Sequence, residues 1–173
     1  MRDCVVCFDP RLPMDPMPMK PVNVLPGVSM NRSMPPGPVI PELAYVHVRE
    51  AADWLCRVFG FVERLRIGHH RVQLSFGEGS IIVVGLPEAA FSSIDAEHLH
   101  ALMATQATML RVVDVDKHYE QAKRLGARII IAPTDFPYGE RQYSVEDVGG
   151  HRWTISQTLA DVHPKTWGGI LFE

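Results

Sequence analysis

The chain repeats one pattern of elements, and that repetition limits what it can fold into more than any other feature. Over 41–48 the residues alternate as in a strand, with Ala44, Val46 and Val48 on one side and Leu43, Tyr45 and His47 on the other. From Glu50 the period changes. Ala51, Trp54, Leu55, Val58 and Phe59 form one helical stripe, and Gly60 follows where a left-handed cap is expected. Three short strands are predicted next, over 61–67, 71–76 and 80–85, the last two joined by Gly77-Glu78-Gly79.

The second half runs through the same order. A strand is predicted over 107–113, with Asp114 or Asp116 as N-cap of the following helix. Val115, Tyr119, Ala122 and Leu125 make its apolar stripe, which ends at Gly126, 66 positions after Gly60. A strand over 128–131 and a hairpin of 141–146 with 151–157, around Asp147-Val148-Gly149-Gly150, complete the unit. The expectation is an α+β fold of two βαβββ repeats, 39–87 and 107–158, with a connector helical over 95–104 and a tail over 159–173.

Composition separates a leader from this domain. Residues 1–38 hold nine of the fourteen prolines and six of the eight methionines. Proline lacks an N–H and restricts its predecessor, so a flexible arm is expected there, with the folded domain over 39–173. The net charge of −3 supplies no basic field for nucleic acid. The longest apolar runs, such as 81–86, fall far short of the ~20 residues that span a bilayer. Three cysteines, Cys4, Cys7 and Cys56, are an odd number and too few for a disulfide framework. Cys4 and Cys7 read as an incidental pair, and no secretory pattern opens the chain, so a cytoplasmic location is expected.

The segments Ala51-Ala52-Asp53-Trp54-Leu55 to Phe59-Gly60-Phe61, Val113-Asp114-Val115-Asp116, Pro137 to Tyr143 and Asp147 to Trp153 resemble the vicinal oxygen chelate superfamily. That superfamily includes glyoxalase I, bleomycin-resistance proteins and extradiol dioxygenases. The resemblance implies an eight-stranded mixed sheet curved around a small-molecule cleft, often completed by a second subunit, hence a homodimer. It also implies four metal-ligand positions, one on the first and one on the last strand of each repeat. Here these match Leu43, Val83, Thr108 and Thr154. Leucine and valine offer no lone pair and a neutral threonine hydroxyl is a poor donor, so neither metal nor cofactor is expected.

Strand parity then assigns the cleft walls. Leu43, Tyr45 and His47 face it from the first strand, and Arg152, Thr154 and Ser156 from the last. A symmetric four-residue turn at 147–150 places Tyr143 opposite Thr154 and Arg141 opposite Ser156. Ile81, Val83, Thr108, Leu110 and Val112 make an apolar floor, while His118 falls on an exposed helix face. The expected ligand contacts are Tyr45, His47, Thr108, Arg141, Tyr143, Arg152 and Thr154. Arg141 is equally accounted for by an ion pair with Glu140, Glu146 or Asp147, and Tyr143 as a core residue. Two functions follow. One is a metal-independent protein binding an aromatic or anionic small molecule. The other is a lyase, isomerase or dioxygenase with an atypical metal site or metal-free acid–base chemistry, in which His47 would be the base and Arg141 the oxyanion partner.

Overall fold

The computed structural model describes residues 31–35, 37–86, 95, 98, 101 and 105–171, within the unit Asn31–Glu173. The Cys4–Cys7 pair and most of the expected connector helix lie outside the described residues. The first repeat comprises β1 (Glu42–Tyr45), α1 (Val48–Phe59), β2 (Val62–Ile67), β3 (Arg71–Phe76) and β4 (Gly79–Gly85). The second comprises β5 (Ala107–Arg111), α2 (Val115–Arg124), β6 (Arg128–Phe136), β7 (Glu140–Glu146) and β8 (Arg152–Thr158). A 3-10 turn, Pro164–Thr166, follows in the tail.

The eight strands form two four-stranded sheets of equivalent order, β1-β4-β3-β2 and β5-β8-β7-β6. In each, the first strand crosses over through the helix and pairs in parallel with the last, as such a crossover requires, while the other pairs are antiparallel. Gly60 and Gly126 both have left-handed φ, 84° and 82°, which ends each helix without a Cβ penalty. Of the two N-cap candidates, Asp114 is the one used: its Oδ1 accepts from the Lys117 N–H at 2.9 Å.

One hydrophobic cluster joins the repeats. The buried face of α1 (Ala51, Trp54, Leu55, Val58) and the strand residues Leu74, Ile81 and Val83 meet Leu110, Val145, Trp153 and Ile155 of the second repeat. Phe59 at the end of α1 packs on Trp153 of β8, with ring centroids 5.2 Å apart, and on His118 of α2 at 5.7 Å. Gln121 of α2 donates to the carbonyl of Val58. Helix α1 thus touches its own sheet, the other sheet and the other helix, so the helix-bearing faces of both sheets share a single core. The opposite faces, here called outer, lie on the far side of each sheet from that core.

Candidate functional site

On β5 Leu110 points into the core, so Met109 and Arg111 stand on the outer face. On β8 the buried Trp153 and Ile155 leave Arg152, Thr154 and Ser156 outward, and on β7 Tyr143 and Val145 leave Glu140, Gln142 and Ser144 outward. Four of these outward residues are tied together at Glu140. Glu140 Oε2 accepts from Ser156 Oγ at 2.5 Å and from Gln142 Nε2 at 2.7 Å, and its Oε1 accepts from Arg111 Nη2 at 3.1 Å. The hydrogen bonds from Ser156 and Gln142, with help from the Arg111 charge, hold the Glu140 carboxyl below the usual carboxylate range. The outer face of the first sheet carries Gln73 with Arg64, and Arg71 paired to Glu42.

Several concavities lie on this framework among the described residues. The one at the seam between the repeats, along β1 and β5, is an open groove of about 670 Å³. Its apolar wall includes Leu43, Ala44, Ala107 and Met109, and its polar groups include Thr108 and Arg152. A second, of about 720 Å³, lies at the start of α2 beside Phe76 and Arg111, and a third, of about 260 Å³, beside Tyr45 and His47. The first two have the size of ordinary small-molecule sites. Within the seam groove Glu42 is paired with Arg71, whereas Arg152 has no ion-pair partner among the described residues.

The expected ligand residues divide by face. Arg152 and Thr154 stand on the outer face as parity required, and Arg152 lines the seam groove. Thr108 also lines that groove, but from the core-facing side of β5, the side of Leu110. The expected floor of Ile81, Val83 and Leu110 is core instead, and Val112 packs against it. His47 is not a strand residue; it precedes α1 and lines the smallest concavity.

Tyr45 and Tyr143 are corrections. Each is 1 % exposed and points into the core. The Tyr45 hydroxyl donates to Asp147 Oδ2 at 2.6 Å, and the Tyr143 hydroxyl lies 2.7 Å from His118 Nδ1. Burial raises the pKa of both phenols, and for Tyr45 the adjacent Asp147 charge adds to the effect. Arg141 shares the side of Tyr143 and is held by Asp116 and Asp135, with 2.6 Å to Asp135 Oδ1, so its partners are neither Glu140, Glu146 nor Asp147. His118 is half-buried between the repeats, not exposed, and burial lowers its pKa.

The cause of these reversals is local. Strand β1 stops at Tyr45, so Val46 and Val48, used to set its parity, are respectively a bend residue and the first residue of α1. In the final hairpin Asp147 Oδ1 accepts from the N–H groups of both Gly149 and His151, which takes His151 into the turn. Five residues instead of four then separate the strands, so Tyr143 faces Ile155 and Arg141 faces Gln157. A one-residue slip moves every side chain to the other face. The polar set of Glu140, Gln142 and Arg111 was hidden by the same slip and by the inverted reading of β5.

Two sheets of order 1-4-3-2, each with its crossover helix, fused through one core, define a paired-βαβββ protein. The sequence matches the profile of the Glyoxalase/Bleomycin resistance protein/Dioxygenase superfamily over residues 40–155, and the chain belongs to that superfamily. It is similar to TioX from Micromonospora sp. ML1, with 35% identity, a TM-score of 0.57 and coverage of 69% of this chain and 97% of that one. The bleomycin resistance determinant encoded on the transposon Tn5 shares the fold at 20% identity and a TM-score of 0.55, covering 72% of this chain and 99% of that one. An uncharacterized protein of Mycobacterium tuberculosis, Rv0887c, is 35% identical over 54 residues, which is 31% of this chain and 32% of the relative. The chain thus spans about a third of the curated relatives it matches. No helix among the described residues is long and apolar enough to cross a membrane.

Proposed function

We propose that this chain is a metal-independent binding protein of the glyoxalase/bleomycin-resistance type, which holds an anionic molecule with an apolar or aromatic body in the groove between its repeats. The observation that carries this reading is Arg152, a guanidinium without an ion-pair partner among the described residues, set in a wall that also holds Leu43 and Met109. Such a cation offers two parallel donors to a carboxylate or phosphate, while the apolar wall takes the rest of the ligand.

The donor chemistry argues against a catalytic divalent ion. The outward residues of the first and last strands include Glu42 and Ala44, Ser80, Ile82 and Val84, Met109 and Arg111, and Arg152, Thr154 and Ser156. Only one carboxylate is among them, and Arg71 already neutralises it. Nowhere among the described residues do three or more His, Cys, Asp or Glu side chains gather. A hard cation needs several converging oxygen or nitrogen donors to leave its water, and this set does not fit one.

A second copy of the chain completes the site in this reading. Both helices pack into the shared core, and the outer face of the second sheet carries polar side chains already oriented by hydrogen bonds. Sedimentation should therefore find a dimer. Dialysed protein should hold well below one equivalent of divalent metal, and small aromatic acids should raise its Tm. Ligand at 100 times its Kd adds about 2.7 kcal/mol to stability. A tightly retained equivalent of metal would instead favour a metalloenzyme of the same superfamily.

A further inference from the structure

His151 stands immediately before β8, next to Arg152, and both line the seam groove. Its N–H donates to Asp147 Oδ1 at 3.0 Å. Its ring lies edge-on to Tyr45 with centroids 4.7 Å apart, and its Nε2 stands 2.9 Å from the Ala44 carbonyl oxygen. Tyr45 is itself held by the other oxygen of Asp147. One carboxylate thus positions both the histidine and the ring it packs on.

The bond to Ala44 fixes where the ring hydrogen sits. Along β1 the carbonyls of Pro41 and Tyr45 accept from the N–H groups of Ile82 and Leu86, on the β4 side. Alternation turns the Ala44 carbonyl to the opposite edge, where β1 is the last strand of its sheet. A carbonyl oxygen only accepts, so His151 Nε2 carries the hydrogen and Nδ1 of the neutral ring is a bare acceptor. Nδ1 has no hydrogen-bond partner among the described residues, and it is not buried. The other polar side chains of the groove differ in kind. Arg152 only donates, Thr108 and Gln106 do both, and Glu42 is held by Arg71. His151 Nδ1 is therefore an acceptor oriented in advance of any ligand.

We propose that the ligand of the seam groove carries a hydrogen-bond donor of its own, an O–H or N–H, besides its anionic group, and that His151 Nδ1 reads that donor. The class this defines is a hydroxy- or amino-substituted aromatic acid. The inference rests on the small-molecule reading above and narrows it. A ligand without the donor strips water from Nδ1 and leaves it unpaired. A site built to bond such a group rejects the analogue that lacks it.

The test compares meta- and para-hydroxybenzoate with meta- and para-fluorobenzoate by calorimetry on the full chain at pH 8. Fluorine is close to hydroxyl in size but donates no hydrogen bond. One hydroxy isomer should bind about tenfold tighter than its fluoro counterpart, and in His151→Phe that ratio should fall to near one. Nitrogen-15 spectra of the histidine rings give a second readout that needs no variant and decides the matter if His151→Phe does not fold. There the hydroxy acid should move the His151 Nδ1 signal much further than the fluoro acid does. Equal affinities within both pairs, with the fluorobenzoates still bound through Arg152, would overturn this proposal and leave the small-molecule reading standing. A ratio that persists in His151→Phe, or equal movement of the Nδ1 signal, would overturn it as well. No binding by any of these acids would overturn both.

Discussion

The Tyr45 hydroxyl reaches Asp147 Oδ2 at 2.6 Å, joining the end of β1 to the turn before β8 across 102 positions of sequence. The same oxygen accepts from Trp153 Nε1 at 2.8 Å, while Oδ1 takes the N–H groups of Gly149 and His151 at 2.9 and 3.0 Å. A buried carboxylate is tolerable only when it is hydrogen-bonded in this way. Asp147 therefore ties together the turn, the largest core side chain of the second repeat and the first repeat. Hydrogen bonds to charged groups contribute about 1.5–3 kcal/mol, so Tyr45→Phe should lower stability by about 2 kcal/mol. At about 3 °C per kcal/mol for a domain of this size, Tm should fall by about 6 °C. A Tm within 1 °C of the parent would show the bond contributes nothing.

Close packing around the same tyrosine makes Gly149 irreplaceable. A Cβ at this position would lie 2.4 Å from Tyr45 Cδ1 and 2.6 Å from Cε1, well inside van der Waals contact. Gly149→Ala should cost about 1–3 kcal/mol through overpacking. Removing the ring removes the obstacle, so in a Tyr45→Ala background the added methyl should cost far less. A double-mutant cycle by urea denaturation measures this coupling, and strictly additive effects would contradict the geometry.

These contacts also mark where the sequence stopped being legible. Helix stripes, glycine caps and the repeat carry local information, and α1, α2 and all eight strands lie within a few residues of their predicted places except for β6, which continues to Phe136. Faces depend on where a strand stops and how many residues a turn holds. Parity held for β8 because Trp153 and Ile155 flank Thr154 and are themselves buried. It failed for β1, which ends before its valines, and for β7, where His151 joins the turn. Parity alone put Tyr45 and Tyr143 in the cleft, and the partners that hold their hydroxyls on the core side, Asp147 and His118, are remote in the chain.

His118 gives stability a pH dependence with a definite sign. Burial lowers its pKa from the ordinary 6.5, so the unfolded chain takes up a proton at a pH where the folded protein does not. Stability contributed by this site is complete above about pH 6.5 and is lost as pH falls below it, at no more than about 1.4 kcal/mol per pH unit. Glu63 and Glu140 are held down instead, by Arg66 and by Ser156 and Gln142, so their contributions decline only as pH drops below the ordinary 4.5. Urea midpoints between pH 7.5 and 5 should therefore fall, and His118→Gln should flatten that fall. An unchanged slope in the variant would assign the dependence elsewhere.

The two faces of the second sheet predict opposite consequences for two substitutions. Arg152 faces the seam groove without an ion-pair partner among the described residues, so Arg152→Ala removes no ion pair seen in the fold. Its Tm should stay within about 1–2 °C of the parent, as for most substitutions outside the core. An aromatic carboxylate bound there would lose a charge-assisted pair, and calorimetry should show affinity falling at least tenfold. Tyr143→Phe is the converse. It strips a buried hydroxyl from His118 on the core side, so Tm should drop by several degrees while affinity is unchanged. If Tyr143→Phe weakened the acid as much as Arg152→Ala did, the ligand would sit on the helix-bearing side, and the assignment of the binding face would be reversed.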